Sequence, residues 1–156
     1  MVSDTHGSNS LFLQLVKRYE PLDMVIHCGD IEGSEYTIAS AAECEVHMVA
    51  GNNDFFSDAP LEEEFEIGSH RVLLSHGHHY YISMGNERIC EEARSRGCDI
   101  VIYGHTHRPV IEQKDGVTAV NPGSLTYPRQ EGRKPSYIIA EMDDNGELEI
   151  QLKYTY

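Results

Sequence analysis

Asp99-Ile100-Val101-Ile102-Tyr103-Gly104-His105-Thr106-His107 is the stretch whose reading decides the fold. Four apolar or β-branched residues in succession, Ile100 to Tyr103, without polar alternation, suit a strand covered on both faces of a parallel sheet. Such a strand delivers His105 and His107 to the loop at its carboxyl end, where ligands collect in open α/β sheets. Imidazole is the commonest metal ligand among side chains. A solitary His-x-His is equally at home in a solvated loop, so its meaning depends on the other strands.

Four more runs end the same way. Met24 to Cys28 leads into Gly29-Asp30, and Val46 to Ala50 into Gly51-Asn52-Asn53-Asp54. The run through Val72 and Leu74 reaches Ser75-His76-Gly77-His78-His79, and Met1-Val2-Ser3 enters Asp4-Thr5-His6-Gly7. Glycine beside Asp30 permits close backbone approach. Asp-x-His alone can be a turn, and His27, inside a strand, reads as a core histidine rather than a ligand. Turn chemistry does not require a polar cluster after every strand, and that succession is what argues for a shared site.

Between these runs lie three helical patterns. Ser8 can cap a helix carrying Leu11, Leu15 and Val16; residues 33–43 present Ile38, Ala41 and Ala42; residues 85–97 present Ile89, Cys90 and Ala93 before a Gly97 stop. Turn signals at Gly68-Ser69, Asp115-Gly116 and Asn145-Gly146 predict three hairpins. A chain that starts β-α-β-α-β and finishes in hairpins predicts an α/β fold of two packed sheets with helices outside.

The 156 residues are expected to form a single domain, 1–156. With 26 acidic against 12 basic residues and a net charge of -14, the surface repels polyanions, and binding of long nucleic acid is not expected. A small phosphorylated substrate remains compatible, because cations can invert the field of a pocket. Cys28, Cys44, Cys90 and Cys98 form no C-x-x-C pair and read as reduced, buried thiols. No secretory h-region and no 18-residue apolar run is visible, so no membrane partner and a cytoplasmic location are expected.

Seven residues therefore stand just beyond strand-like runs: Asp4, His6, Asp30, Asn52, His76, His105 and His107. Two carboxylates, four imidazoles and an amide, with no thiolate, favour manganese, iron or zinc over a cysteine-type structural zinc site. Seven ligands exceed one transition metal but serve two if a carboxylate bridges. Two divalent ions roughly 3.5 to 4 Å apart clamp in-line attack at phosphorus.

In order, Asp4-x-His6, Gly29-Asp30, Gly51-Asn52-x-Asp54, His76-Gly77-His78 and Gly104-His105-x-His107 resemble the calcineurin-like metallophosphoesterase superfamily. The chain is most similar to its small YfcE-type bacterial and archaeal phosphodiesterases, and the likeness extends through Asn121-Pro122-Gly123-Ser124. The resemblance implies a four-layer α/β/β/α sandwich. It implies one metal on Asp4, His6 and His107, another on Asn52, His76 and His105, and Asp30 as the bridge. It further implies a phosphoesterase in which a metal-bridging hydroxide attacks phosphorus, with Asn52 as a catalytic residue holding phosphate oxygens. His78 is a candidate catalytic residue that could donate a proton, support a ligand from behind or have no role, and water is the other source of a proton. Manganese is the expected metal, with iron, zinc or nickel as alternatives.

Two departures qualify this. Many phosphoprotein phosphatases of the superfamily carry histidine where this chain has Asn53, which is no general acid at neutral pH; small phosphodiesters with good leaving groups are the expected substrates. Relatives also have several more apolar residues before Asp-x-His, so the first strand is expected to be short or to start upstream. Loops around Phe55-Phe56, His79 to Met84 and Leu125 to Arg133 would line a substrate rim or a homo-oligomer interface. The competing reading is a non-catalytic protein-binding scaffold of the retromer-subunit type.

Overall fold

A computed structural model describes residues 1–155. In chain order these form α1 (Ser10–Tyr19), β1 (Met24–His27), α2 (Glu35–Ala42), β2 (Glu45–Met48), β3 (Glu62–Ile67), β4 (His70–Ser75), α3 (Glu87–Ser95), β5 (Ile100–Ile102), β6 (Val110–Lys114), β7 (Val117–Asn121), β8 (Ser136–Met142) and β9 (Leu148–Tyr154). Two short 3-10 turns, His78–Tyr80 and Ile82–Met84, lie between β4 and α3.

The opening stretch becomes β5, fully buried, in the middle of a five-stranded sheet of order β3-β4-β5-β7-β6. It runs parallel to both β4 and β7, so the carboxyl ends of three adjacent strands point the same way. The expected hairpins close the two edges, β3 with β4 and β6 with β7. β1 and β2 pair in parallel, and β8 and β9 form the third hairpin.

Met1 to Ser3 join these last two pairs into a second sheet. Met1 and Ile138 exchange backbone bonds of 2.8 and 3.0 Å, the pattern of an antiparallel hydrogen-bonded pair. On the other side, Val2 donates to the Ile26 carbonyl at 2.9 Å and accepts from Cys28 at 3.0 Å. The expected short first strand is thus a single bridge, Val2 to His27.

Three cores make the layers. Phe12, Leu15, Val16, Ile38 and Ala42 seal α1 and α2 onto Val25 of the second sheet. Ile26, Cys28 and Val49 meet Val72, Leu74, Ile102 and Val120 between the sheets. Ile89, Cys90 and Ala93 pack α3 on the outer face of the five-stranded sheet against Leu73 and Val101. This is the four-layer α/β/β/α sandwich.

Local details differ from expectation. α1 begins at Ser10 with Asn9, not Ser8, at the cap position, and Asn9 makes no side-chain cap bond. Phe12 rather than Leu11 faces inward, on one stripe with Leu15, Val16 and Tyr19. All four cysteines are free thiols, three of them buried. Among the described residues, no helix is long and apolar enough to cross a membrane.

Candidate metal centre

Because both sheets end their parallel strands on one side, the loops after Ser3, β1, β2, β4 and β5 converge. They do so under an unusual backbone constraint. Asp4, His6, Asp30, His105 and His107 have φ of +53°, +46°, +55°, +67° and +57°, a left-handed region that L residues seldom enter. Each sharp reversal turns a side chain back over the strand ends instead of out to solvent.

Asp4, His6, Asp30 and His107 form one group whose ligand atoms all lie within 4.8 Å of one another. His107 Nε2 is 3.0 Å from Asp4 Oδ1 and 3.3 Å from His6 Nε2. His6 Nε2 is 3.8 Å from both Asp4 Oδ1 and Asp30 Oδ2. Next to it, Asn52 Oδ1 accepts from His76 Nε2 at 3.0 Å and from His105 Nδ1 at 2.9 Å. His76 Nε2 is 3.5 Å from Asp30 Oδ2, so Asp30 stands between the two groups. All seven sequence-predicted residues therefore lie together.

The surroundings suit cations. Asp4 Oδ1 is buried and has no hydrogen-bond partner, with His107 Nε2 3.0 Å away. The other oxygen, Oδ2, accepts from Ser3 Oγ and from the His105 amide. A buried, orphaned carboxylate oxygen is costly unless something positive faces it. On the far side of the rings, His6 Nδ1 donates to Glu32 Oε1, His76 Nδ1 to the Cys28 carbonyl and His107 Nδ1 to the Tyr127 carbonyl, each at 2.7 Å. Such bonds fix each tautomer and leave the inward Nε2 as the ligating atom. The donor set fits two borderline or hard divalent ions.

Glycine sets the spacing. A Cβ on Gly51 would lie 2.1 Å from Asp30 Oδ1, and one on Gly104 would lie 2.1 Å from Ser3 Oγ and 2.8 Å from Asp4 Oδ2. Asp54 ties two loops together: its Oδ1 accepts from Ile31 and Glu32 amides at 2.8 and 2.7 Å, and its Oδ2 from Gly51 at 2.7 Å. Asn53 binds Asp30 through its amide at 3.0 Å and its side chain at 2.8 Å. His27 is a core histidine, donating from Nε2 to Thr5 Oγ1 and accepting at Nδ1 from Gly29.

Electrostatics follow from burial and proximity. Burial opposes charge on Asp4, yet His107 and His76 outweigh it and hold the carboxyl below its ordinary pKa. Asp30 is likewise held well down, against burial, by His76 and by the Asn53 bonds. His76 is raised: burial works against its proton, but Asp30 and Asp4 prevail. Both ring nitrogens of His76 face oxygens that only accept, the Cys28 carbonyl and Asn52 Oδ1. His78, on the 3-10 turn, has its ring centroid 5.4 Å from that of His76 and 6.2 Å from that of His105. Desolvation, then repulsion from His76, lowers it to about 4.

Sequence reasoning missed Glu32 and the Tyr127 carbonyl, and it left Asp54 and Asn53 without their present contacts. Each acts across 20 or more residues of chain. The Gly51-Asn52-x-Asp54 spacing was the one signal pointing at Asp54.

A four-layer sandwich with this convergent carboxylate and histidine cluster defines a metallophosphoesterase-type domain. Residues 1–145 match the calcineurin-like phosphoesterase superfamily domain, and the chain belongs to that family. It is 33% identical over 146 residues to the probable metallophosphoesterase YsnB of Bacillus subtilis, covering 93% of this chain and 84% of that protein. It is 36% identical over 112 residues to the phosphodiesterase YfcE of Escherichia coli, covering 72% of this chain and 56% of that one. Among solved structures, a predicted phosphoesterase from Streptococcus pneumoniae superposes with a TM-score of 0.81 at 26% identity, covering 99% of this chain and 95% of that chain. Family membership makes the chain a hydrolase of the phosphoesterase kind that uses divalent metal.

Proposed function

We propose that the chain is a dinuclear-metal-dependent phosphodiesterase of small phosphate diesters. The observation that carries this reading is the buried, unpartnered Asp4 Oδ1 within the four-residue cluster. Asp4, His6 and His107 would hold one ion, Asn52, His76 and His105 the other, and Asp30 would face both. When bound, the two cations would acidify a shared water and take up charge developing on the phosphoryl oxygens. Manganese is the first choice of metal, with iron, zinc and nickel as alternatives.

The chain's own groups do the rest. The Asn52 Oδ1 lies on the metal side, which leaves its amide N–H groups free to donate to a phosphate oxygen. Neutral His78 has one N–H to donate, but a group lowered to about 4 holds little acid at neutral pH. Asn53 spends its side chain on Asp30 and supplies no proton. Departure unaided by a strong acid favours aryl diesters over alkyl monoesters and phosphoproteins. Free thiols fit a reducing, cytoplasmic setting.

The test is titration of chelator-stripped protein with manganese, followed by turnover of bis-p-nitrophenyl phosphate. Two ions per chain and steady turnover are expected, with Asp30→Ala abolishing both. A chain inert with manganese, iron, zinc and nickel alike would instead be the scaffold. Faster hydrolysis of alkyl monoesters than of aryl diesters would overturn the substrate preference.

A further inference from the structure

A cavity of about 620 Å³ borders the loop that carries the candidate ligands His105 and His107. Thr106, between His105 and His107, lies in its wall, and Arg129, also in the wall, donates its backbone N–H to the His107 carbonyl at 2.9 Å. The cavity and the candidate ligands therefore share one loop.

Its charges are arranged against the trend of the molecule. On a chain of net charge -14, this wall carries Arg108, Lys114 and Arg129 against Glu87 and Glu112. Both carboxylates are engaged inside the wall: Glu87 pairs with Lys114 at 3.0 Å, and Glu112 accepts from Asn86 Nδ2. Arg108 and Arg129 have no ion-pair partner among the described residues, as holds also for Arg18, Arg88 and Arg133, while Arg71, Arg94 and Arg96 each hold a carboxylate; what sets Arg108 and Arg129 apart is that they share one cavity wall. Two free guanidinium forks at one cavity suit bidentate recognition of phosphate. Met84, 88% exposed, and Val110 supply apolar wall beside them.

We infer that this cavity is a specificity subsite, in which Arg108 and Arg129 bind a second phosphate group on the diester while the apolar wall receives the intervening sugar or ring. The inference rests on the phosphodiesterase reading above and narrows its substrate to diesters bearing a terminal phosphomonoester. Neither arginine touches the scissile phosphate; both act on KM.

The experiment compares kcat/KM for the 3′-phosphorylated and unphosphorylated forms of thymidine 5′-(p-nitrophenyl phosphate), with manganese at fixed ionic strength. The wild-type chain should prefer the phosphorylated form about tenfold, chiefly through KM, as one added charge-assisted bidentate contact supports. In Arg108→Gln/Arg129→Gln the ratio should fall to near one, and added salt should lower it in the wild type. A wild-type ratio of one or less, or a ratio that survives the double substitution, overturns the subsite. If neither substrate nor bis-p-nitrophenyl phosphate is hydrolysed with any metal, the enzymatic reading fails by itself. The subsite is then judged by calorimetry of thymidine 3′,5′-bisphosphate with the metal-free chain: binding lost in the double variant supports it, and binding equal in both, or absent from both, removes it.

Discussion

Gly51→Ala isolates how the loop after β2 sets the metal centre, because it adds one methyl group and removes no ligand. The added Cβ would stand 2.1 Å from Asp30 Oδ1, 2.5 Å from the Asp30 nitrogen and 2.8 Å from its Cγ, where ordinary contact begins at 3.4 Å. Carboxyl rotation cannot relieve the clash with the backbone nitrogen, so one loop must retreat by roughly an ångström, whereas metal–carboxylate bonds tolerate about 0.2 Å. The Gly51 bond to Asp54 and the Asn53 bonds to Asp30 strain together. Overpacking of this kind costs about 1–3 kcal/mol of stability. Metal affinity should fall by about 100-fold, the upper end of what lost ligand support costs. Calorimetry with manganese gives the affinity and urea unfolding of the stripped protein gives the stability. Gly97→Ala is the control: its Cβ meets nothing within 4 Å, but φ of +72° makes it backbone-strained, so it should lose stability and keep its metals. Gly51→Ala binding both ions within twofold of wild-type affinity would refute the reasoning.

Further expectations concern single groups. His105→Ala should empty chiefly the ion held with Asn52 and His76, and His107→Ala the ion held with Asp4 and His6; metal analysis showing both variants losing the same ion would contradict the pairing. Because both ring nitrogens of His76 face oxygens that only accept, metal taken up at Nε2 would displace a proton. Calorimetry in buffers of different ionisation enthalpy should show proton release on binding, reduced in His76→Gln, and a buffer-independent heat would count against it. His27 is lowered by burial to about 3 from 6.5, so between those values the unfolded chain binds the extra proton. Stability contributed there is complete above pH 6.5 and is lost as pH falls towards 3, at up to about 1.4 kcal/mol per pH unit. Urea midpoints of stripped protein should show that slope, flattened in His27→Gln.

The strand ends were legible because their code is local: an unbroken apolar run followed by polar ligands needs no distant partner to be recognised. Element boundaries were less so. β5 spans Ile100–Ile102 within the expected 99–103, since backbone pairing, not apolarity, ends a strand. α1 is capped at Asn9 rather than Ser8, and packing on the second sheet buries Phe12, not Leu11, beside Leu15 and Val16. The pairing of Met1 with Ile138 spans 137 positions, and the Glu32, Asn53 and Tyr127 contacts likewise join separate loops. Such contacts are products of the assembled fold and leave no periodicity to read.

Five of the seven candidate ligands occupy left-handed backbone, a geometry costing about 1–2 kcal/mol for a residue bearing a Cβ. Selection for thermal survival without metal would accordingly reward glycine at positions 4, 6, 30, 105 and 107, and every such gain would dismantle the centre. Heat-tolerant variants recovered under chelation and under manganese should therefore come from separate lineages, with those five positions drifting only in the first.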